Sequence, residues 1–132
     1  MKTIFTLLVL FTTVSFAPTT SHKGYDIGDV ATDFKLENID GNFVSLSDFK
    51  DAKGFIVVFT CNSCPYAVAY EDRVEALNKK YATQGYPVIA IMPNNVNTKP
   101  GDSMEAMQKR AKEKGFTFPY LMDADQSIYP QY

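Results

Sequence analysis

Residues 55–65 decide the fold of this chain, with the sequence Phe-Ile-Val-Val-Phe-Thr-Cys-Asn-Ser-Cys-Pro. The first five residues are all apolar and do not alternate with polar ones, which predicts a central strand covered on both faces. Pro65 suits the first turn of a following helix, where its missing N–H removes no hydrogen bond. Cys61 and Cys64, the only cysteines of the 132 residues, therefore lie between the end of a strand and the start of a helix.

The spacing of the two cysteines favours reversible thiol chemistry over a structural disulfide. A bridge between them would close a very short loop, and the stabilisation by a disulfide grows with loop length. The free N–H groups at a helix N-terminus favour the thiolate, which is the reactive form of cysteine. We predict that Cys61, at this end and open to solvent, attacks a substrate disulfide. Cys64, one turn further in and more buried, then resolves the mixed disulfide, with Asn62, Ser63 and Pro65 as supporting residues.

Two other uses of the cysteines stay open. A zinc site needs about four ligands, which two cysteines and the distant His22 do not supply, so we expect no resident metal and no cofactor. A non-enzymatic thiol or copper-binding module remains an alternative. A thiol-dependent peroxidase is the other, although its usual P-x-x-x-T-x-x-C pattern is absent. In that pattern a Thr lies three residues before the attacking cysteine. Here Cys61 lies three residues before Cys64, and Val58 lies three residues before Cys61.

The residues around the cysteines predict an α/β unit. Residues 34–39 and 42–46 flank Asp40-Gly41 and predict a β-hairpin with a two-residue turn. Residues 88–92 predict a second buried strand, and strand, helix, strand in this order implies a parallel βαβ unit. Residues 116–121 predict a further strand, in which Pro119 indicates an edge or a strand end.

Two helices are predicted between these strands. The first covers residues 65–83, and its expected buried face carries residues at three- and four-residue steps: Ala67, Tyr70, Val74, Leu77 and Tyr81. The second covers residues 103–114. Asp102 is expected to cap it, with Glu105 three residues on as the partner in a capping box.

The N-terminus predicts export. Lys2, the apolar residues 4–16 and the small residues Ser15 and Ala17 match a signal peptide over residues 1–17, or an anchor if it is not cleaved. Residues 18–26 predict a linker, and residues 27–132 a single domain. We expect a periplasmic or secreted protein that contacts a membrane only through an uncleaved signal. The formal charge of −2 gives no reason to expect a nucleic-acid partner.

Three stretches carry a family resemblance. Residues 59–66, Phe-Thr-Cys-Asn-Ser-Cys-Pro-Tyr, resemble the C-N-x-C-P-Y motif of exported peroxiredoxin-like proteins of the AhpC/TSA redoxin type, within the thioredoxin-like superfamily. Residues 29–34, Asp-Val-Ala-Thr-Asp-Phe, and 118–123, Phe-Pro-Tyr-Leu-Met-Asp, are similar to the same group. The resemblance covers residues 27–132. It implies a thioredoxin-like three-layer α/β/α fold with a central mixed sheet, and thiol–disulfide or antioxidant activity centred on Cys61 and Cys64.

The resemblance also implies partners, and the sequence departs from the pattern of this group in two places. The partners are protein disulfides or dithiols, an upstream electron donor and, for a peroxidase, peroxide. Ser63 stands where this group often has a histidine, whose positive charge would favour the thiolate. The sequence ends at Tyr132, before the cis-proline segment, hairpin and final helix of thioredoxin-like domains, whereas Pro119 belongs to the preceding strand. We therefore expect a C-terminally incomplete domain that is weakly stable by itself.

Overall fold

The structure is a computed structural model that describes residues 24–132. The predicted signal peptide and residues 18–23 of the predicted linker lie outside the described residues. The regular elements in chain order are β1 (Lys35–Asn38), β2 (Phe43–Ser45), β3 (Ile56–Phe59), α1 (Pro65–Tyr81), β4 (Val88–Met92), α2 (Met104–Lys114) and β5 (Tyr120–Met122). Short 3-10 turns cover Leu46–Asp48, Ala82–Gln84, Pro100–Asp102 and Tyr129–Gln131.

The five strands form one mixed sheet in the order β2-β1-β5-β4-β3. Strands β3 and β4 are parallel, as are β4 and β5, whereas β1 runs antiparallel to both β5 and β2. The predicted hairpin, the βαβ unit and the mixed α/β sheet are therefore confirmed. The carboxyl ends of the three parallel strands lie at one edge of the sheet, and the paired cysteines follow the end of β3.

Strand β4 forms the centre of the core, and all five of its residues are fully buried. Its side chains alternate between two clusters, as the two-residue period of a strand requires. Val88 and Ala90 pack with Val74 of α1 and Met107 of α2, so both helices cover the same face. The opposite cluster contains Ile89, Ile91 and Leu121, and non-helical segments cover it with Phe34, Leu46, Phe49, Ile128 and Tyr132.

The position of β3 differs from the prediction. Its four residues are half-buried, and among residues 24–132 the strand pairs only with β4, so β3 lies at the edge of the described sheet. A run of apolar residues indicates that a strand is covered, but it does not say how many neighbouring strands pair with it. Strand β4, not β3, is the strand buried on both faces.

The predicted inner face of α1 is only partly correct, since Ala67, Val74 and Tyr81 are half-buried. Tyr70 and Leu77 are 55% and 37% exposed, whereas Glu71, Glu75 and Asn78 are buried. The inner face is rotated by one residue, which is about 100° around a helix of 3.6 residues per turn. Polar residues can occupy this face because each has a hydrogen-bonding partner on α2, on β4 or in the loop before β5.

Two local boundaries refine the predictions. The hairpin loop has three residues, 39–41, with Gly41 at φ 82°. A left-handed residue at the end of such a loop favours glycine. Pro119 lies immediately before β5, which confirms it as a strand end. No helix within residues 24–132 has both the length and the apolar content needed to cross a membrane.

Candidate active site at the paired cysteines

The loop between β3 and α1 brings the two cysteines together. The Thr60 N–H donates to the carbonyl of Ile91 at 2.9 Å, which extends the β3–β4 pairing up to the residue before Cys61. Cys64 is the N-cap residue of α1, and Pro65 is the first helical residue, as predicted. Both cysteines are free thiols and half-buried, and Cys61 is close enough to Cys64 to help lower its pKa. The site is therefore a dithiol at the start of a helix.

The N–H groups at the start of α1 act on Cys64. The nearby backbone N–H groups of Ala67 and then of Tyr66 lower the pKa of the Cys64 thiol, and burial and the negative charge of Asp102 oppose them only in part. Cys64 therefore occupies the N-cap position of α1 without a cap hydrogen bond from its side chain, and the expectation that it lies one turn further in is wrong. The helix begins at Pro65, directly after Cys64.

Cys61 has a more apolar environment. Its side chain packs against the core cluster shared by the two helices. It also lines a narrow crevice with the following side chains: Thr60, Glu71, Val74, Phe116, Phe118 and Tyr120. Cys61 thus lies against the hydrophobic core, whereas Cys64 lies at the start of α1.

A buried carboxylate holds the turn between the cysteines. Asp102 is fully buried, and its Oδ1 accepts hydrogen bonds from the N–H groups of Asn62 at 2.8 Å and Ser63 at 3.0 Å. Its Oδ2 accepts from the Ser63 hydroxyl at 2.9 Å and from Nδ2 of Asn94 at 2.7 Å. The two residues between the cysteines are therefore fastened to a single side chain.

The predicted helix cap at Asp102 is wrong. Ser103 is the N-cap residue of α2, where its hydroxyl accepts from the N–H of Ala106 at 3.3 Å. Asp102 instead ends the 3-10 turn before this cap, and its carboxylate reaches back to the cysteine loop. Ser103 therefore caps α2, and Asp102 holds the loop that contains the cysteines.

Asn62 is fastened by its side chain as well. Its Nδ2 donates to the carbonyl of Gly101 at 3.3 Å, and its Oδ1 accepts from the Tyr120 hydroxyl at 3.0 Å. Tyr120 is 1% exposed, and burial, followed by the charge of Asp102, raises the pKa of its phenol far above the ordinary value. The phenol therefore stays protonated and remains a hydrogen-bond donor to Asn62.

The structure thus places Asn62 and Ser63 at the centre of a polar network, whose other members are Asn94, Gly101, Asp102 and Tyr120. Pro65 begins α1 and has no hydrogen bond to this network among the described residues. Sequence reasoning missed Asn94, Tyr120 and the part played by Asp102. A topological indication was present for Asn94. Parallel strands end at the same edge of a sheet, so polar residues that follow β4 come close to residues that follow β3. Within residues 24–132 no group of three or more metal-ligating side chains lies together. His22 lies outside the described residues.

Comparisons with known proteins agree with this architecture. A structure of a hypothetical protein from Sinorhizobium meliloti is 35% identical, with a TM-score of 0.75, and covers 80% of this chain and 58% of that chain. A thiol:disulfide interchange protein of the thioredoxin family from Chlorobium tepidum has a TM-score of 0.62 at 21% identity, covering 76% and 63% of the two chains. The thioredoxin-like α/β fold is therefore confirmed.

The sequence comparisons also match thiol-disulfide oxidoreductases and the AhpC/TSA family. The thiol-disulfide oxidoreductase ResA of Geobacillus kaustophilus is 28% identical over 109 residues, which are 80% of this chain and 56% of ResA. The chain spans less than two thirds of the length of the curated relatives that it matches. Residues 27–132 match the AhpC/TSA family, and this match includes both cysteines and every residue of the polar network. The chain belongs to the AhpC/TSA family.

Proposed function

We propose that this chain carries out thiol–disulfide exchange through a reversible disulfide between Cys61 and Cys64. The observation that supports the proposal most strongly is a pair of neighbouring free thiols at a helix N-terminus, one of which has a lowered pKa. A thiol is unreactive toward disulfides until it loses its proton, so a site that stabilises a thiolate favours exchange. The relationship to a named thiol-disulfide oxidoreductase agrees with this function.

The proposed reaction has two exchange steps. The Cys61 thiolate attacks one sulfur of a substrate disulfide and forms a bond to it, and the other substrate sulfur leaves as a thiolate that takes up a proton. The Cys64 thiolate then attacks the Cys61 sulfur, which closes the intramolecular disulfide and releases the second substrate sulfur. Two electrons pass from the dithiol to the substrate. In a reducing cycle, an upstream dithiol donor returns two electrons to the Cys61–Cys64 disulfide. In the reverse direction, the same steps oxidise a substrate dithiol.

The lowered pKa of Cys64 fits the resolving role. A resolving cysteine must also attack as a thiolate, and the N–H groups of Ala67 and Tyr66 stabilise that form where the attack begins. Cys61 is held within reach because the turn between the two cysteines is fastened at the N–H groups of Asn62 and Ser63. We therefore expect the mixed disulfide on Cys61 to be short-lived in the wild-type protein.

A trapping experiment tests the two roles. Cys61→Ser, Cys64→Ser and the double variant are incubated with insulin, whose disulfides serve as the substrate, and the products are analysed by non-reducing mass spectrometry. The proposal expects a stable mixed disulfide on Cys61 in the Cys64→Ser variant, and no insulin reduction by Cys61→Ser. The double variant measures the background. Full turnover by Cys61→Ser would overturn the assigned roles.

A second function, reduction of a hydroperoxide, is favoured by the position of Cys64. A thiolate at a helix N-terminus can attack the peroxide O–O bond, giving a sulfenic acid on Cys64 and releasing water or an alcohol after protonation. The Cys61 thiol would then condense with the sulfenic acid, forming the disulfide and releasing water. The test is hydrogen peroxide consumption by Cys61→Ser and Cys64→Ser, together with trapping of the sulfenic acid. Rapid consumption that survives only in Cys61→Ser would favour the peroxidase.

Partners and location are further parts of the proposal. We propose that protein disulfides or dithiols are the substrates and that the reaction takes place outside the cytoplasm. The support is the apolar stretch of residues 4–16, preceded by Lys2 and followed by Ala17. N-terminal sequencing of the protein from fractionated cells tests this location. An exported protein that starts after residue 17 is expected, and an intact N-terminus in the cytoplasmic fraction would contradict it.

A further inference from the structure

We propose that Asp102 is a positioning residue for the dithiol, which fixes the turn between the cysteines and uses its negative charge to favour the disulfide over the dithiol. The inference rests on the proposed exchange chemistry and adds a control of its equilibrium. The hydrogen bonds of Asp102 go to Asn62 and Ser63 and not to the sulfur of either cysteine. Asp102 therefore positions the cysteines through these two residues.

The hydrogen bonds of Asp102 are directed at the turn itself. Three of its four bonds come from Asn62 and Ser63, the two residues that separate the cysteines. The fourth comes from Asn94, which follows β4 and thereby fastens the carboxylate to the sheet. This arrangement limits how far the two sulfurs can move apart when the disulfide is reduced, because the turn between them is held at both backbone N–H groups.

The charge of Asp102 is not cancelled by its partners. All four donors are neutral groups, and an ionised carboxylate is the form that accepts at both oxygens. The other ionisable groups around the dithiol are Glu71, which lines the crevice beside Cys61, and Tyr120, which stays neutral. Within the part of the chain that the structure describes, the nearest cation shown is Arg110, and its charge is engaged with Glu71. Asp102 therefore disfavours a thiolate nearby, and this effect opposes the stabilisation of Cys64 by the helix.

The consequence concerns the redox equilibrium. A couple becomes more oxidising when its reduced form is stabilised, and a stabilised thiolate does this. A carboxylate that opposes the thiolate must shift the couple in the other direction, toward the disulfide. Asp102 would thus make the protein a better reductant than the helix N-terminus alone would make it.

The experiment compares Asp102→Asn with Asp123→Asn in the purified protein. The first substitution keeps the shape of the side chain and removes its charge. Asp123 is a matched control because it is also fully buried and accepts from the N–H groups of Ser127, Ile128 and Tyr129, with no bond to the cysteine loop. Each protein is equilibrated in glutathione buffers, and the disulfide is quantified by mass spectrometry. Thiolate absorbance is titrated in parallel, and urea unfolding gives the stability.

The expected result is specific to Asp102. Asp102→Asn should shift the equilibrium about three- to tenfold toward the dithiol, where tenfold corresponds to about 30 mV. Its thiolate should also form at a lower pH than in the wild type. Asp123→Asn should lose stability and keep the wild-type equilibrium. An unchanged equilibrium in Asp102→Asn, or an equal shift in Asp123→Asn, would overturn the proposal and leave Asp102 a purely structural residue.

A second variant carries the test if Asp102→Asn does not fold. Ser63→Ala removes one donor from the carboxylate and leaves its charge in place, so the charge is less screened. The Cys64 thiolate should then form at a higher pH than in the wild type, and a thiolate that forms at the same or a lower pH would overturn the proposal. Failure of the exchange function itself looks different, because the wild-type protein would then form no Cys61–Cys64 disulfide in any glutathione buffer.

Discussion

Glu71 of α1 and Arg110 of α2 form a two-point ion pair between the helices. The guanidinium Nε and Nη2 atoms each lie 2.7 Å from a different carboxylate oxygen of Glu71. Lys114 adds a second cation at 3.5 Å, and the Glu71 side chain is only 6% exposed. The pair raises the pKa of Arg110. It connects the helix that begins at the cysteines to the helix that follows Asp102.

Glu71→Gln should lower the free energy of unfolding by about 2–4 kcal/mol, because it leaves Arg110 without the charge that compensates it. Urea denaturation monitored by circular dichroism measures this. Glu113→Gln is the control, since Glu113 pairs with Lys109 at 3.9 Å with both side chains exposed, and such pairs contribute less than about 1 kcal/mol. Equal losses in the two variants would contradict the structural role of the Glu71–Arg110 pair.

The same pair shows why the inner face of α1 could not be predicted. Apolar periodicity placed Tyr70, Val74 and Leu77 inward, because it assigns burial to apolar side chains and exposure to charged ones. The partners that allow Glu71 to be buried lie about forty residues further along the chain, on α2. Strands, helices and the βαβ order follow from local patterns and were predictable, whereas the rotation of α1 depends on contacts that only the folded chain provides.

Glu75 should make the stability depend on pH. Burial alone would raise the pKa of Glu75, but hydrogen bonds from the N–H and hydroxyl of Thr117 and the charge of Lys79 together lower it. A lowered pKa in the folded state means that this contribution is complete above the ordinary value of about 4.5 and disappears as the pH falls through the folded value.

The measurement is urea denaturation of the wild type and Glu75→Gln at neutral pH and at several acidic values. The wild type should be more stable by about 1–2 kcal/mol at neutral pH. The difference should shrink toward zero as the pH falls below the folded pKa. A difference that grows on acidification would show that Glu75 is stabilised in its protonated form instead.

Cys64 should titrate below the ordinary value for a cysteine thiol, because the N–H groups of Ala67 and Tyr66 stabilise its thiolate. The test uses the Cys61→Ser variant, in which Cys64 is the only thiol, and follows the rate of iodoacetamide alkylation against pH. The same chain unfolded in urea supplies the reference. The folded midpoint should lie at the lower pH, and coincident midpoints would contradict the placement of Cys64 at the helix N-terminus.

Tyr120 and Tyr132, whose hydroxyl groups are both buried, should respond differently to loss of the hydroxyl. Tyr120→Phe removes the donor to Asn62 and should lower the stability by about 1–2 kcal/mol, with faster amide exchange at residues 62 and 63. The Tyr132 hydroxyl is buried and has no hydrogen-bond partner among residues 24–132. Tyr132→Phe should therefore be neutral or stabilising. Thermal unfolding of both variants measures this, and a larger loss in Tyr132→Phe would be the contrary result.

The candidate site was predictable in one part only. Two cysteines between an apolar strand and a proline predict a dithiol at a helix start, and this needs no knowledge of distant residues. The polar network around the dithiol could not be predicted in this way, because Asp102 lies about forty residues from Ser63 along the chain. Its Asp-Ser sequence resembles a helix cap, and Ser103 fulfils that role alone. Long-range polar contacts of this kind leave no periodic pattern in the sequence.

The central claim is that Cys61 and Cys64 form one reversible disulfide. The most direct measurement is equilibration of the purified wild-type protein in a series of glutathione buffers at neutral pH, followed by acid quenching, alkylation and peptide mass spectrometry. The account predicts a single two-electron transition, in which Cys61 and Cys64 become linked to each other and return fully to the dithiol. Cysteines that stay separately alkylated or carry glutathione at every buffer ratio would contradict it.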